Sequence, residues 1–421
     1  MKKIILITIA VILCSVCFVA YKFFNATKVE DTSTKNIKQN NNMLSMMIEI
    51  EAGSGKYEMT STSSWPTGSY VFNSELSKCE NGGTLQWDDT NKKVLFEGNN
   101  IDKCYVYFDV YIKPSLSISN YIKNLYTGTQ GENNIYYHDA TLTNGAGDNS
   151  YRYAGASDQV NNYVCFGSST TPCPADNLYR IIGVFGDKVK LIKSDYATTA
   201  LLGADGDYSK MYTANNWDNS AYKGNNLANV AAYNWNKSNQ NTWSLSNLNK
   251  TNLNKNFITN IGADWAAKIA ETTWKVGGNT FANIANTSAK KAYQNEIVNP
   301  VTTNSQDNKT EYSAKIGLMY VSDYMYAVPQ DKWTLVGYNS DASKDYRAAI
   351  SVNWMYMGLY EWTISRYADY SDSAFFVYHT GDVRGINVGD YAFGVRPVFN
   401  LSSSVNYASG SGSATDPILV N

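Results

Sequence analysis

Glu361-Trp362-Thr363 and, further along, Val395-Arg396-Pro397 set a carboxylate beside an indole and a guanidinium between two apolar neighbours. Glu361 can take up a nearby cation, and Arg396 needs an anion if it is buried in an apolar strand. Glu361, Trp362 and Arg396 therefore read as scaffold, a pair clamping two elements. Between these motifs lie Tyr367, Asp369, Tyr370, Asp372, Tyr378, His379, Asp382, Asn387, Asp390 and Tyr391. Rings with amides, carboxylates and an imidazole offer contact area and directional hydrogen bonds, the chemistry of a ligand-binding face.

Other reactive groups are sparse. The two histidines, His138 and His379, stand far apart with no Ser or Cys motif to complete a hydrolytic triad. Paired carboxylates could still serve a glycan hydrolase, because Asp and Glu are spread along the whole chain. The stretch "GAGDNSYRYAG" has no Lys-Ser/Thr after its glycines and is not a phosphate loop. Trp87-Asp88-Asp89 and Trp217-Asp218-Asn219 resemble short carbohydrate-binding calcium motifs, but three residues do not make a site, so no cofactor is expected.

Four cysteines outside the N-terminal run fall into two local pairs, Cys79 with Cys104 and Cys165 with Cys173. Disulfides in an oxidising compartment are the economical reading. Zinc is disfavoured, since the spacings contain no C-x-x-C knuckle. The formal net charge of −2 and the lack of a basic block exclude an electrostatic case for nucleic acid. With 33 Tyr, 10 Trp and only 17% charged residues, the composition suggests an outer surface of neutral hydrogen-bonding groups and amphipathic rings.

The elements that must position these groups follow from patterning. After Lys2 and Lys3, residues 4–21 form an uncharged apolar run long enough to cross a bilayer, so residues 1–23 read as a signal anchor with the rest of the chain outside. A cleaved signal peptide is the alternative, against which stands Phe18 in the place of a small residue. Residues 24–43 are polar and unpatterned, a flexible stalk. Residues 44–113 alternate with period two between Gly and Asn punctuation, predicting a small antiparallel β-sandwich stapled by Cys79 and Cys104.

Residues 114–421 form the main α+β domain. "SISNYIKNL" predicts a short amphipathic helix behind a serine cap, and "NLYRIIGVFGDKVKLIKSD" a hairpin about Gly186-Asp187, with Arg180, Lys188 and Lys190 at its wetter positions. "NNWDNSAYKGNNLANVAAYNWN" and the run from Ser246 to Gly278 read as helical, and Lys315 to Ala327 as a strand or the turn into one.

The order "YEWT", polar stretch, "GVRPV" resembles the C-terminal half of formylglycine-generating-enzyme-like domains, a branch of the C-type lectin fold. From about Ile118 to the end, the chain more closely resembles an uncharacterised bacterial extracytoplasmic domain family whose motifs stand here as Tyr179 to Phe185, Lys315 to Tyr324, Glu361 to Thr363 and Val395 to Leu401. The resemblance implies a C-type-lectin-like domain behind the β module and an address at the bacterial cell membrane. The enzymes' C-terminal cysteine pair has no counterpart after Cys173, and the histidine cluster of their iron-dependent relatives is missing. The implied work is recognition of a cell-surface glycan or protein ligand. Lectin-fold proteins of diversity-generating retroelements vary a patch before their last strands at adenine-rich codons, and residues 366 to 394 have that residue character. A structural surface component is a further alternative.

Overall fold

The computed structural model describes residues 43–60, 64–66, 68–98, 102–111, 115–212, 219–300 and 310–421. The expected anchor and nearly all of the stalk lie outside these residues; among the described residues no helix is long and apolar enough to cross a membrane. The architecture is mixed α+β, mostly strands with few and short helices. The chain divides into two compact units, Met1–Pro114 and Ser115–Asn421.

In the first unit four strands make one sheet in the order Tyr57–Thr60, Met43–Glu49, Lys103–Val110, Tyr70–Cys79. Its alternating residues Cys104, Val106 and Phe108 are buried, as the period-two pattern requires. Met43–Glu49 runs parallel to Lys103–Val110, so the module is not purely antiparallel. Turn signals report only consecutive strands, whereas this pair joins the first strand to the last. Thr84–Asp88 and Lys93–Glu97 form a separate hairpin, and Trp87 packs edge-on against Phe108 at 5.6 Å, laying the hairpin over the sheet. Cys79 and Cys104 face each other in register on neighbouring strands and are disulfide-bonded.

The second unit is built on a seven-stranded sheet. Its path runs Ile316–Gly317, Val398–Asn400, Lys188–Lys193, Leu178–Phe185, Ser150–Tyr153, Ile135–His138, with Tyr163–Cys165 added beside Leu178–Phe185. The central hairpin turns at Gly186, whose φ of 65° lies in the left-handed region that suits glycine. Ser117 Oγ caps the helix Ile118–Leu125 by accepting from Asn120 N. Cys165 and Cys173 form the second disulfide.

A second sheet holds Gly278–Asn279, Glu361–Tyr367, Ser373–Val377 and Val383–Asn387 in that order, the last three as a meander. A third pairs Tyr208–Met211, Ala231–Asn234 and Ala392–Phe393. Ala231–Asn234 was expected to be helical; pairing with strands on either side overrides its alanine-rich propensity. The Ser246 to Gly278 run is helical only in part, over Leu248–Asn260 and Ala263–Ala267, before turning into the strand Thr272–Lys275. In Lys315 to Ala327 a two-residue strand leads instead into the helix Val321–Tyr326.

The core corrects the expected use of the rings. Trp235, Trp243, Trp274, Trp333, Trp354 and Trp362 are fully buried, as are Tyr179, Tyr212, Tyr233 and Tyr324. The aromatic content builds the interior before it builds a surface. Asparagine does similar internal work: the Asn241 amide donates to the carbonyls of Tyr367, Tyr370 and Ser373, tying one end of the meander together.

Candidate functional site

Glu361 opens the first strand of the meander, and Arg396 follows the short strand Ala392–Phe393. A parallel bridge between Glu361 and Gly394 brings the two segments side by side, so the side chains meet with Arg396 Nε donating to Glu361 Oε1 at 2.7 Å. Arg396 Nη2 donates to the Met355 carbonyl. Burial pushes the Glu361 carboxyl above its usual range, and Arg396 pulls partly the other way. Trp362, next in the strand, donates its indole N–H to the Tyr233 carbonyl at 2.8 Å and ties the meander to the third sheet.

The ligand-face residues do not converge. The register of Ser373–Val377 against Val383–Asn387 puts them at opposite ends of the meander. Tyr367, Asp369, Tyr370, Asp372 and Asn387 lie at one end, where Val388 N donates to the Asp372 carbonyl and Tyr370 is 61% exposed. Tyr367 itself is buried, stacked on Phe375 at 4.5 Å. Tyr378, His379 and Asp382 lie at the other end, in a turn closed by Tyr378 N to the Asp382 carbonyl. Asp382 is fully buried and accepts from Arg384 Nε at 2.6 Å, while the Arg384 guanidinium lies 3.7 Å from the Tyr378 ring centroid. Asp390 is exposed beside the Asn387 turn, and the Tyr391 carbonyl accepts from the Asn234 amide.

A compact cluster of charge lies elsewhere, on the main sheet. Lys190 projects from the hairpin strand Lys188–Lys193, Arg152 from Ser150–Tyr153 and Asp323 from the helix Val321–Tyr326. Lys190 Nζ lies 2.5 Å from Asp323 Oδ2; Arg152 Nη2 reaches Asp148 at 2.7 Å, with its Nη1 3.7 Å from Asp323 Oδ1. Lys190 and Arg180, expected at wet positions, are 6% and 2% exposed. Arg180 is satisfied by Asn162, Ser157 and the Val160 carbonyl, and lies between Tyr163 and Trp354.

Rings surround the Lys190 amine, with Tyr320 at 4.6 Å and Phe185 at 5.3 Å. Burial lowers its pKa, opposed by Asp323. Glu296 sits behind, accepting from Val321 N, Ser322 N and Ser365 Oγ, and burial pushes its carboxyl up. A cavity of about 200 Å³ opens beside the cluster, lined by Arg152, Lys190, Asp323, Trp274, Tyr293 and Tyr320 among others. The sequence pattern marks Lys190 only as a wet hairpin position and gives Arg152 and Asp323 no role. Arg152 and Asp323 are single charges inside aromatic or apolar runs, "SYRYA" and "LMYVSDYMYA", and Lys190 alternates with Val189 and Leu191 in "KVKLI"; that was the available signal.

A second, more polar cleft of about 270 Å³ is bounded by Asp176, Asp195, Thr198, Tyr222, Asn225 and Asn229, with others. Asp195 organises its wall: its carboxylate accepts from the Tyr222 hydroxyl at 2.8 Å and from Asn225 N at 2.9 Å. Tyr196, next to it, carries the Arg396 guanidinium 5.8 Å from its ring, so the cleft adjoins the Glu361–Arg396 pair.

The calcium-like motif at Trp87 is a closed turn, with Asp88 accepting from Thr90 N and Asn91 N, and Asp89 paired with Lys92. Trp217 and Asp218 lie outside the described residues. Cys79, Asp102 and Cys104 come close enough to hold an ion, but both sulfurs are committed to the disulfide and Asp102 accepts from Asn81 N and Gly83 N. His138 is buried; its Nδ1 accepts from Ala146 N at 3.0 Å, which places the ring proton on Nε2. No family model, curated protein or solved structure matches the chain.

Proposed function

We propose that this chain is a membrane-anchored recognition protein of the bacterial cell surface, taking a hydroxyl-rich ligand, glycan or protein-borne, in the cleft beside Asp195. The cleft carries the reading. Its wall of carboxylates, amides, a threonine hydroxyl and the Tyr222 ring matches what a sugar needs: a face to pack on and directional donors and acceptors around it. Two disulfides fit an oxidising compartment, and the apolar run at residues 4–21 supplies the anchor. The C-type-lectin-like assignment of the second unit rests on the Glu-Trp-Thr and Val-Arg-Pro motifs that frame the meander. Of the residues between 366 and 394, Asp369, Tyr370 and Asp390 are the exposed ones, and they mark where a diversified face would lie.

The test is a glycan array and cell-surface pull-down with the full-length chain in mild detergent, beside Asn226→Ala/Asn229→Ala and Tyr370→Ala variants. Loss of binding in the asparagine variant alone supports the cleft; loss in the tyrosine variant alone moves the site to the meander end. Absence of binding by the unaltered chain removes the recognition reading. Asp176 and Asp195 border the same cleft, which favours a carboxylate-dependent glycan hydrolase as the second reading. Cleavage of a bound glycan that stops in an Asp195→Asn variant would establish it.

A further inference from the structure

We propose that Lys190 and Asp323 join in an intramolecular isopeptide bond between the main sheet and the helix Val321–Tyr326. The two side chains come from elements 133 positions apart, and Lys190 Nζ lies 2.5 Å from Asp323 Oδ2. That contact brings the amine to near-attack range of the carboxyl carbon, one bond further on. Both residues are almost wholly withdrawn from water, at 7% and 3% side-chain exposure.

Burial favours the neutral Lys190 amine that condensation requires. Phe185, Trp274 and Tyr320 ring the amine within 6 Å. A buried ion pair holds its charges against desolvation, and passing the proton from ammonium to carboxylate removes both charges at once. Arg152 keeps its own partner, Asp148 at 2.7 Å, when Asp323 is neutral.

In the reaction the neutral Lys190 amine attacks Asp323 Cγ, a C–N bond forms, and the C–OH bond of the protonated acid breaks. The hydroxyl leaves with one amine proton as water, and nothing is oxidised or reduced. Lys190 and Asp323 both line the 200 Å³ cavity, which gives the released water a way out. The product replaces two buried ionisable groups with one neutral amide and covalently closes the second unit.

Mass spectrometry of the full-length chain, with both disulfides reduced, tests this directly. We expect a chain one water lighter than its sequence, resistance to trypsin at Lys190, and a branched peptide joining the Lys190 and Asp323 segments. A Lys190→Arg variant should keep its full mass, and Asp323→Asn, which can lose ammonia instead of water, should give the same linked product. Because the peptide map needs only the unaltered protein, misfolding of a variant does not shield the proposal. Linear Lys190 and Asp323 peptides from the folded wild-type chain overturn it.

Discussion

Glu361 and Arg396 stand thirty-five positions apart and meet at 2.7 Å with side chains 2% and 0% exposed. A pair so placed does not add stability over apolar residues of the same shape, but breaking it strands a charge in the interior. Arg396→Ala should therefore destabilise the second unit by about 3–5 kcal/mol in urea unfolding. The double replacement Glu361→Leu with Arg396→Met should recover most of that. A single-variant loss within about 0.5 kcal/mol, the range of ordinary surface changes, would show that solvent reaches the pair.

His138 makes stability fall in mild acid. Burial and the nearby Arg152 charge hold its pKa well below the ordinary 6.5, whereas in the unfolded chain it titrates near that value. Its contribution is fully present above about pH 6.5, where both states are neutral, and is lost as pH drops and only the unfolded chain takes the proton. A His138→Asn variant, whose amide oxygen can still accept from Ala146 N, should show a shallower loss between pH 7 and 5.5. The difference in slope should approach about 1.4 kcal/mol per pH unit at most. Equal slopes in urea titrations of the two proteins would mean that His138 protonates in place.

What could be read from sequence was local. Gly186-Asp187 announces its hairpin, Ser117 its helix, and each of the four described cysteines finds a partner within the same short segment. What could not be read depends on residues far away. Ala231–Asn234 looks helical until Ala392–Phe393 pairs with it, and Lys190 looks solvated until Asp323 is placed against it. The expected ligand-face residues are divided between two ends for a related reason. Spacing along 366 to 394 is compatible with one surface, but a meander of five-residue strands sends its two turns to opposite ends, separated by roughly 16 Å at about 3.3 Å per residue.

The Cys79–Cys104 bond should matter more than Cys165–Cys173. The first closes a separation of 25 positions in a unit whose buried hydrophobic core is Met46, Trp65, Val106 and Phe108; the second closes 8 in a unit with an extensive core. Constraining the unfolded chain over the longer loop is worth roughly 3 kcal/mol. Cys79→Ser with Cys104→Ala should unfold the first unit at markedly lower urea while the second unit's transition stays in place. Coincident shifts of both transitions would show that the two units unfold together.

Gly385→Ala separates the two candidate ligand sites without touching either cleft residue or exposed tyrosine. A Cβ at Gly385 would fall inside the Tyr367 ring, which is itself stacked on Phe375 and set edge-on to Tyr370 at 5.9 Å. The ring must turn away, at a cost of about 1–3 kcal/mol, and the exposed Tyr370 must shift with it. If the ligand sits at the meander end, affinity should fall several-fold in the folded variant because its aromatic contact has moved. If it sits beside Asp195, the variant should lose stability and keep its affinity, since the residues lining that cleft hang from other segments of the chain. Calorimetric titration and urea unfolding on the same preparation therefore distinguish a binding residue from a merely structural one at this end of the sheet.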